Sequence, residues 1–212
     1  MRRFGRRHTE TGIGTAFRDV LFNVLGVLAI MVVILIMLPK KPEEESREQD
    51  RSRGNIRVEV FWPNDIDADI DLWGSAPGLP SVGYSNMSGV VLNLVRDDLG
   101  NYADISGINY EVMFSRGLPP GNWFFNLHWY GSAGVYREIP VRVIITYKKN
   151  DGAASKEAPK QIIATTVILR KVHEEITIVG FSIDAEGNII PGSMNSRFRA
   201  LKPSGDDNDD VR

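Results

Sequence analysis

An acidic side chain and an amide are placed four residues apart at the start of the most apolar stretch of the chain. Residues 17–26 read FRDVLFNVLG and contain Asp19 and Asn23, and no residue from 20 to 38 is charged. An ionisable group in a span faces protein or water rather than lipid, and small residues beside it allow another helix to approach. At about 100° per residue, the line through Asp19 also carries Gly12, Thr15, Asn23 and Gly26.

This polar line predicts that Asp19 carries an ion inside a protein-lined passage. Desolvation brings the protonated and charged forms of a carboxyl group closer in energy, which suits binding and release of H⁺ or Na⁺. Thr15, Asn23 and Gly26 are expected to face the passage. The alternative is that Asp19 lies at the lipid headgroups, where it stabilises the helix N-terminus while Arg18 reaches a phosphate.

The element that positions Asp19 is a predicted transmembrane helix over residues 12–38. Residues 20–38 alone would rise about 28 Å as a helix, close to the thickness of the hydrocarbon core. A signal peptide has a shorter apolar region that ends at a cleavage site, whereas this run ends in Leu-Pro-Lys-Lys, which favours an uncleaved anchor. Four arginines in residues 1–11 predict a cytoplasmic N-terminus and an extracytoplasmic C-terminal part. Residues 39–54 are rich in charge and predict a solvated linker.

The region 55–190 predicts an all-β domain. Eight short stretches alternate or cluster apolar and β-branched residues, and turn signals such as Pro-Pro-Gly at 119–121 and Asn-Asp-Gly at 150–152 separate them. Without a convincing amphipathic helix between them, these stretches predict an antiparallel β-sandwich. Residues 191–212 predict a flexible acidic tail. The chain has no cysteine, which is compatible with a periplasmic domain that lacks disulfides.

A run of alternating aspartates could bind a cation at the start of the β domain. Asp67, Asp69 and Asp71 would share one face of an extended strand, and a Ca²⁺ ion, with help from Asp97 or Asp98, would relieve their repulsion. The EF-hand pattern is excluded, because Ile and Ala stand at the positions that need Gly and Glu. The alternative is a solvated acidic edge that discourages strand pairing.

Other chemistry has little support in the sequence. The formal net charge of −2 gives no basic field for nucleic acid, and the three histidines (His8, His128 and His173) have no ligand spacing. No Gly-rich phosphate loop is present and nothing marks a catalytic triad, so the chain is not expected to be an enzyme or to need a cofactor. The four tryptophans are expected in the core or at its rim rather than on a sugar-binding platform.

The first 45 residues resemble a known family of membrane proteins. A basic N-terminus, one span with Phe17 and Asp19 near its cytoplasmic end, Leu25, and Pro39 after the span are similar to the B subunits of the MotB/ExbD/TolR group. The resemblance implies an ion-driven rotary motor in which two B subunits pass through a pentameric ring of A subunits. It implies a bacterial inner membrane location, an Asp19 that carries H⁺ or Na⁺, and an envelope target for the extracytoplasmic domain.

The β region departs from the best-known members of that group. It does not look like the peptidoglycan-binding domain of flagellar stators or the small α/β domain of ExbD and TolR. Instead, the stretches WPNDIDADIDLWGSAPG and LPPGNWFFNLHWY resemble domains of the DUF2135 type, which implies a sandwich with a binding role. The alternative to the motor subunit is a membrane-anchored β-sandwich that binds a ligand or adheres to a surface without ion transport.

Overall fold

The computed structural model describes residues 12–37, 54–100, 107–134, 136–150 and 157–203. The chain divides into two compact units, residues 1–48 and 49–212. The predicted cytoplasmic N-terminus and all of the predicted linker except Gly54 lie outside the described residues.

The described part of the first unit is one helix, α1 (Gly12–Met37). Its segment Ala16–Val33 is long and apolar enough to cross a membrane, and none of that segment is buried in the chain. A helix that is apolar around most of its circumference is typical of a membrane span. A signal sequence near an N-terminus passes the same test of length and hydropathy, so α1 is a candidate span. Leu38, the last residue of the predicted span, lies outside the described residues.

Within its described residues the second unit has eight strands, at the eight stretches that the sequence predicts. They are β1 (Ile56–Phe61), β2 (Ala68–Ser75), β3 (Leu92–Arg96), β4 (Tyr110–Ser115), β5 (Gly121–Ser132), β6 (Ile139–Tyr147), β7 (Lys160–Leu169) and β8 (Glu175–Ile183). They form a five-stranded sheet in the order β3-β4-β1-β6-β7 and a three-stranded sheet in the order β2-β5-β8. All neighbouring strands are antiparallel. The predicted fold class, one apolar helix followed by an antiparallel sandwich-like β domain, is confirmed.

The core of the β domain lies between the inward faces of the two sheets. The sequence of β6 matches this position, because apolar residues alternate along it. Alternate side chains from Ile139 to Ile145 are fully buried, while Pro140 and Arg142 are exposed. Strand β2 breaks this alternation because both of its faces are covered. Leu72 belongs to the main core, and the indole of Trp73 packs so closely on Gly83 that a Cβ there would come within 2.5 Å of the ring.

All four tryptophans are buried, as the sequence predicts for core residues. Trp73, Trp123 and Trp129 are completely inaccessible and Trp62 nearly so. Burial of the rings also excludes a sugar-binding platform made of these side chains in this structure, because such a platform needs an exposed ring face.

Three of the four outer strand edges of the two sheets are hydrogen-bonded in part by neighbouring segments of the same chain. Gly74 of β2 exchanges two 2.8 Å backbone hydrogen bonds with Val82, and Gly180 of β8 exchanges bonds of 2.7 and 2.9 Å with Asn195. On β3, the N–H of Leu94 donates to the carbonyl of Met87 over 2.8 Å. The fourth edge belongs to β7.

The predicted boundary between the sandwich and its tail at residue 190 is too early. Asn195 continues the ladder of β8, the N–H of Arg199 donates to the hydroxyl of Thr177, and Leu201 is 5% exposed. These residues follow β8 because its outer edge needs hydrogen-bond partners and its flank offers apolar surface. Residues 204–212, the acidic end of the predicted tail, lie outside the described residues.

Candidate functional site

The polar line on α1 is open to the surroundings within its own unit. Asp19, Asn23 and Gly26 lie in one continuous helix and are exposed. A Cβ built at Gly26 would meet nothing within 4 Å. Glycine within a helix costs about 1 kcal/mol relative to alanine, and nothing within α1 requires it at this position. Thr15 lies in the same helix, and its side chain is outside the described part of the structure.

A second group of ionisable residues lies inside the β domain. Asp71 of β2, Asp97 in the loop after β3 and Glu111 of β4 each place one carboxylate oxygen so that the three oxygens lie within 4.8 Å of one another. Asp71 and Glu111 are buried and Asp97 is half-buried. We call these three residues the carboxylate cluster. It joins the two sheets, because β2 belongs to one sheet and β4 to the other.

Glu111 cross-links the two sheets through its side chain. It is 0% exposed. Its Oε2 accepts a 2.6 Å hydrogen bond from the N–H of Leu72, which belongs to the opposite sheet, and its Oε1 accepts a 3.2 Å bond from the N–H of Asp98. Hydrogen bonds from backbone N–H groups to a carboxylate are charge-assisted and stronger than neutral ones. The position of Glu111 is therefore fixed by two strands and one loop.

The electrostatics of the carboxylate cluster favour a bound proton. Burial raises the pKa of the Glu111 carboxyl well above its usual value. The negative charges of Asp71 and Asp97 raise this pKa further. The hydrogen bonds from the two backbone N–H groups lower it but do not reverse the direction. Three carboxylates this close together need either a proton or a cation to offset their repulsion.

A histidine supports one side of the carboxylate cluster. His128 of β5 lies directly opposite Asp71 in the β2–β5 ladder, and its Nδ1 is 2.9 Å from Asp71 Oδ2. Both side chains are almost completely buried. The antiparallel register, rather than any sequence spacing, brings them together. This imidazole orients the Asp71 carboxylate through a hydrogen bond between Nδ1 and Oδ2.

The loop on the other side of the carboxylate cluster is fixed by Asp98. Its carboxylate accepts hydrogen bonds from the backbone N–H groups of Gly100 and Tyr110, at 3.2 and 3.1 Å, and forms a 2.9 Å ion pair with Arg96. The guanidinium of Arg96 also lies 4.3 Å from the centroid of the Tyr110 ring. Asp98 therefore holds the loop that carries Asp97, while its own charge is compensated.

Only one of the three residues predicted for calcium belongs to the carboxylate cluster. Asp71 is a member, whereas Asp67 and Asp69 are half-buried and are not among its carboxylates. Asp67 lies against Gly100, where a Cβ would come within 2.9 Å of its Oδ1. Of the two helpers considered, Asp97 joins the cluster and Asp98 pairs with Arg96. Calcium at the β domain stays a prediction, now with a different set of oxygen ligands.

Glu111 is the residue that sequence reasoning missed. In YEVMFS (110–115), it shares a strand face with Met113 and Ser115, and all three are fully buried. A charged residue in phase with a core methionine is the signal that could have found it. That signal was weak because Tyr110, Val112 and Phe114 make the opposite face equally apolar.

An apolar groove lies on the surface of the β domain, beside the loop between β2 and β3. It has a volume of about 210 Å³. Its lining includes Leu79, Pro80 and Val91, with Asn86 and Ser88 as polar groups. Val90, which also lines it, is 80% exposed. The groove is large enough for a small apolar group such as a ring or a short side chain.

Comparison with known proteins adds no relative. The chain matches no protein-family model, no curated protein sequence and no solved structure.

Proposed function

We propose that this chain is the ion-carrying subunit of an ion-driven rotary motor of the MotB/ExbD/TolR type. Two copies of α1 pass through a pentameric ring of A subunits, and Asp19 carries H⁺ or Na⁺. The observation that supports this most directly is the open polar line of Asp19, Asn23 and Gly26 on a helix that, apart from Arg18 and Thr15, is otherwise apolar. The family resemblance of residues 1–45 points to the same function.

The energetics of α1 explain why the polar line requires a partner. A charged side chain in a lipid-facing position costs several kcal/mol unless it reaches water or protein. Phe17 and Phe22 lie on other sides of the helix and are 68% and 67% exposed, which suits contact with lipid or with apolar ring helices. The open space at Gly26 suits close contact with another helix on the polar side. A ring of A subunits would supply both surroundings.

Asp19 can exchange an ion because its neighbours on the polar line leave its carboxylate accessible. It is exposed in α1, and Asn23 lies one turn further along the helix. An amide can donate to the charged carboxylate or accept from the protonated one, so Asn23 suits both states of the transport cycle. Alternation between the two states, as each A subunit passes, would couple ion flow to rotation.

The β domain acts in this proposal as the part that engages a target in the bacterial envelope. Hydrogen bonds from the Glu111 side chain join its two sheets, and segments of the chain hydrogen-bond to three of its strand edges. Such a domain resists deformation, as a fixed point for a motor must. The charged linker would place it in the periplasm, outside the membrane that holds α1.

Replacement of Asp19 tests the proposal. The tagged full chain is isolated from its native membrane with its partners, and native mass spectrometry counts the subunits. The complex is then reconstituted in vesicles with H⁺-sensitive and Na⁺-sensitive dyes. We expect two copies within five, and we expect Asp19→Asn to leave that assembly intact while ion flux falls to background. Asp19→Glu, the matched control, keeps the carboxylate and should retain part of the flux.

Ion flux unchanged by Asp19→Asn would refute the role of Asp19, and a complex without a pentameric partner would refute the motor. The second candidate function is a membrane-anchored binding protein, which the 210 Å³ apolar groove favours. In that case, replacement of α1 by a leucine-alanine span should preserve activity. Changes in the groove should abolish it.

A further inference from the structure

The outer edge of β7 differs from the other three strand edges of the β domain. β7 ends the five-stranded sheet and pairs only with β6. Across the described ranges, no backbone group of the chain donates to or accepts from this outer edge. The outer edges of β2, β3 and β8 are each hydrogen-bonded, at one or more positions, by a segment of the same chain. An uncovered edge presents a row of N–H and C=O groups to a further strand.

The composition of β7 does not protect this edge beyond its first residues. Lys160 and a bulge at Ile162, which the register between β6 and β7 skips, protect the beginning. The remaining residues Ile163–Leu169 read IATTVIL and contain no charge, proline or glycine. Natural edge strands normally carry such residues to prevent pairing, and β-branched uncharged stretches favour it. The stretch is therefore suited to accept another strand.

Both faces are open at the middle of β7. Ala164, Thr165 and Thr166 are consecutive and all exposed, although consecutive side chains of a strand point to opposite faces. The three-stranded sheet leaves this part of the five-stranded sheet uncovered. An added strand would find space on both faces and short side chains at the centre.

We propose that β7 pairs antiparallel with β7 of a second copy of this chain, which joins two five-stranded sheets into one ten-stranded sheet. A twofold axis perpendicular to the sheet keeps each face on its own side, so a residue pairs with itself or with one an even number of positions away. The axis therefore passes midway between the two copies of one residue, and Ala164, Thr165 and Thr166 are the candidates for that central position.

The occupant is a second copy because the segment is complementary to itself. About any of these three residues, antiparallel pairing brings residues 163–167 opposite uncharged residues, and it keeps the two Lys160 side chains at opposite ends of the joined ribbon. Main-chain hydrogen bonds alone give modest affinity, but a high local concentration offsets this. The inference rests on the proposed function at this point, since the motor holds two copies in one ring.

Single cysteines test the pairing in the full-length chain, which has no cysteine of its own. Each residue from Ile163 to Ile168 is replaced in turn, and membranes are oxidised before denaturing electrophoresis. A disulfide needs Cα atoms within about 7 Å, and the offset between equivalent residues along the strands grows by about 7 Å for each step from the axis. We expect a band of twice the chain mass at one central position, at least fivefold weaker two residues away.

Val95→Cys is the matched control, because Val95 is 56% exposed on β3, at the opposite end of the same sheet. It should give no such band. Addition of Thr166→Lys to a cysteine variant at 164 or 165 should remove the cross-link, whereas Val95→Lys should not. A band no stronger on β7 than at Val95 overturns the pairing. A cross-linked product of any other mass assigns the edge to a different protein and also overturns it.

The proposed pairing and the proposed motor can be refuted independently, because the cross-link tests one and the ion flux tests the other. Asp19→Asn should abolish ion flux and leave the β7 cross-link unchanged. A cross-link in a complex that shows no ion flux even with Asp19 in place would overturn the motor and retain the pairing. Ion flux without a localised cross-link would retain the motor and overturn the pairing.

Discussion

Replacement of Glu111 by glutamine should change how the stability of the β domain depends on pH. An amide cannot ionise, so Glu111→Gln removes the proton equilibrium from the carboxylate cluster and keeps nearly the same volume. Its oxygen can still accept from the N–H of Leu72, and its NH₂ group can donate to the neighbouring aspartates. The N–H of Asp98, 3.2 Å from Oε1 in the wild type, loses its acceptor.

The direction in which stability changes with pH follows from the direction of the pKa shift of Glu111. The pKa of Glu111 is raised in the folded chain above its usual value of 4.5, so the folded state keeps its proton to a higher pH than the unfolded state. The stability from this group is fully present below about pH 4.5. It is lost as the pH rises towards the folded-state pKa. One proton corresponds to a slope of roughly 1 to 2 kcal/mol per pH unit.

Two opposing effects set the difference between the wild type and the variant. At pH 4 we expect Glu111→Gln to be less stable by about 1–3 kcal/mol, the cost of one unsatisfied buried N–H group. Above pH 4.5 the wild type loses stability with the slope given above, while the contribution of position 111 in the variant is constant. The two stability curves therefore converge as the pH rises.

Urea denaturation of the full chain in detergent measures these curves. Fluorescence reports on the β domain alone, because all four tryptophans belong to it and are buried. EDTA is added so that no divalent cation replaces the proton, and a parallel series with Ca²⁺ tests the calcium prediction. Glu157→Gln is the control, since the pKa of Glu157 is lowered by hydrogen bonds from the backbone of Lys149 and Asn150. Its contribution is lost as the pH falls, so it should leave the decline above pH 4.5 in place. Equal slopes for wild type and Glu111→Gln would refute the reasoning.

Two further predictions concern packing and hydrogen bonding in the β domain. Gly83→Ala should lower the free energy of unfolding by about 1–3 kcal/mol, because its Cβ would come within 2.5 Å of the Trp73 ring. Gly131→Ala is the control and should be neutral, since a Cβ there meets nothing within 4 Å. Urea titration compares the two variants, and equal unfolding midpoints would contradict the packing. Asn55→Ala should cost about 2–4 kcal/mol, because the buried amide donates to the carbonyls of Lys148 and Lys149 and accepts from the N–H of Gly117. A loss below 0.5 kcal/mol, on the order of a surface substitution, would show that water replaces these bonds.

The elements of the fold could be predicted from the sequence because each has a local signal. The span is defined by an uncharged run, and the strands by alternation and by turn residues such as those at 119–121 and 150–152. The end of the β domain could not be predicted in this way. Residues 191–203 have no strand pattern, and they are ordered by the edge of β8, which the sequence does not display.

The candidate site in the β domain was predictable only in part, for a similar reason. Asp71 stands out in an alternating acidic run, but its partners Asp97 and Glu111 come from other strands and loops. Their meeting depends on which sheet each strand joins and on the register of the β3–β4 ladder. The polar line on α1, in contrast, depends only on helical periodicity, and the sequence predicts its members directly.

The position of β1 in the middle of the five-stranded sheet has a mechanical consequence. The chain enters the β domain through β1, which is paired with β4 over five residue positions and with β6 over six. A pull along this strand loads two rows of hydrogen bonds in shear, all at once, instead of opening them one after another as a pull on an edge strand would. A tether attached at this strand can transmit tension to the whole sheet before any single bond carries enough load to break.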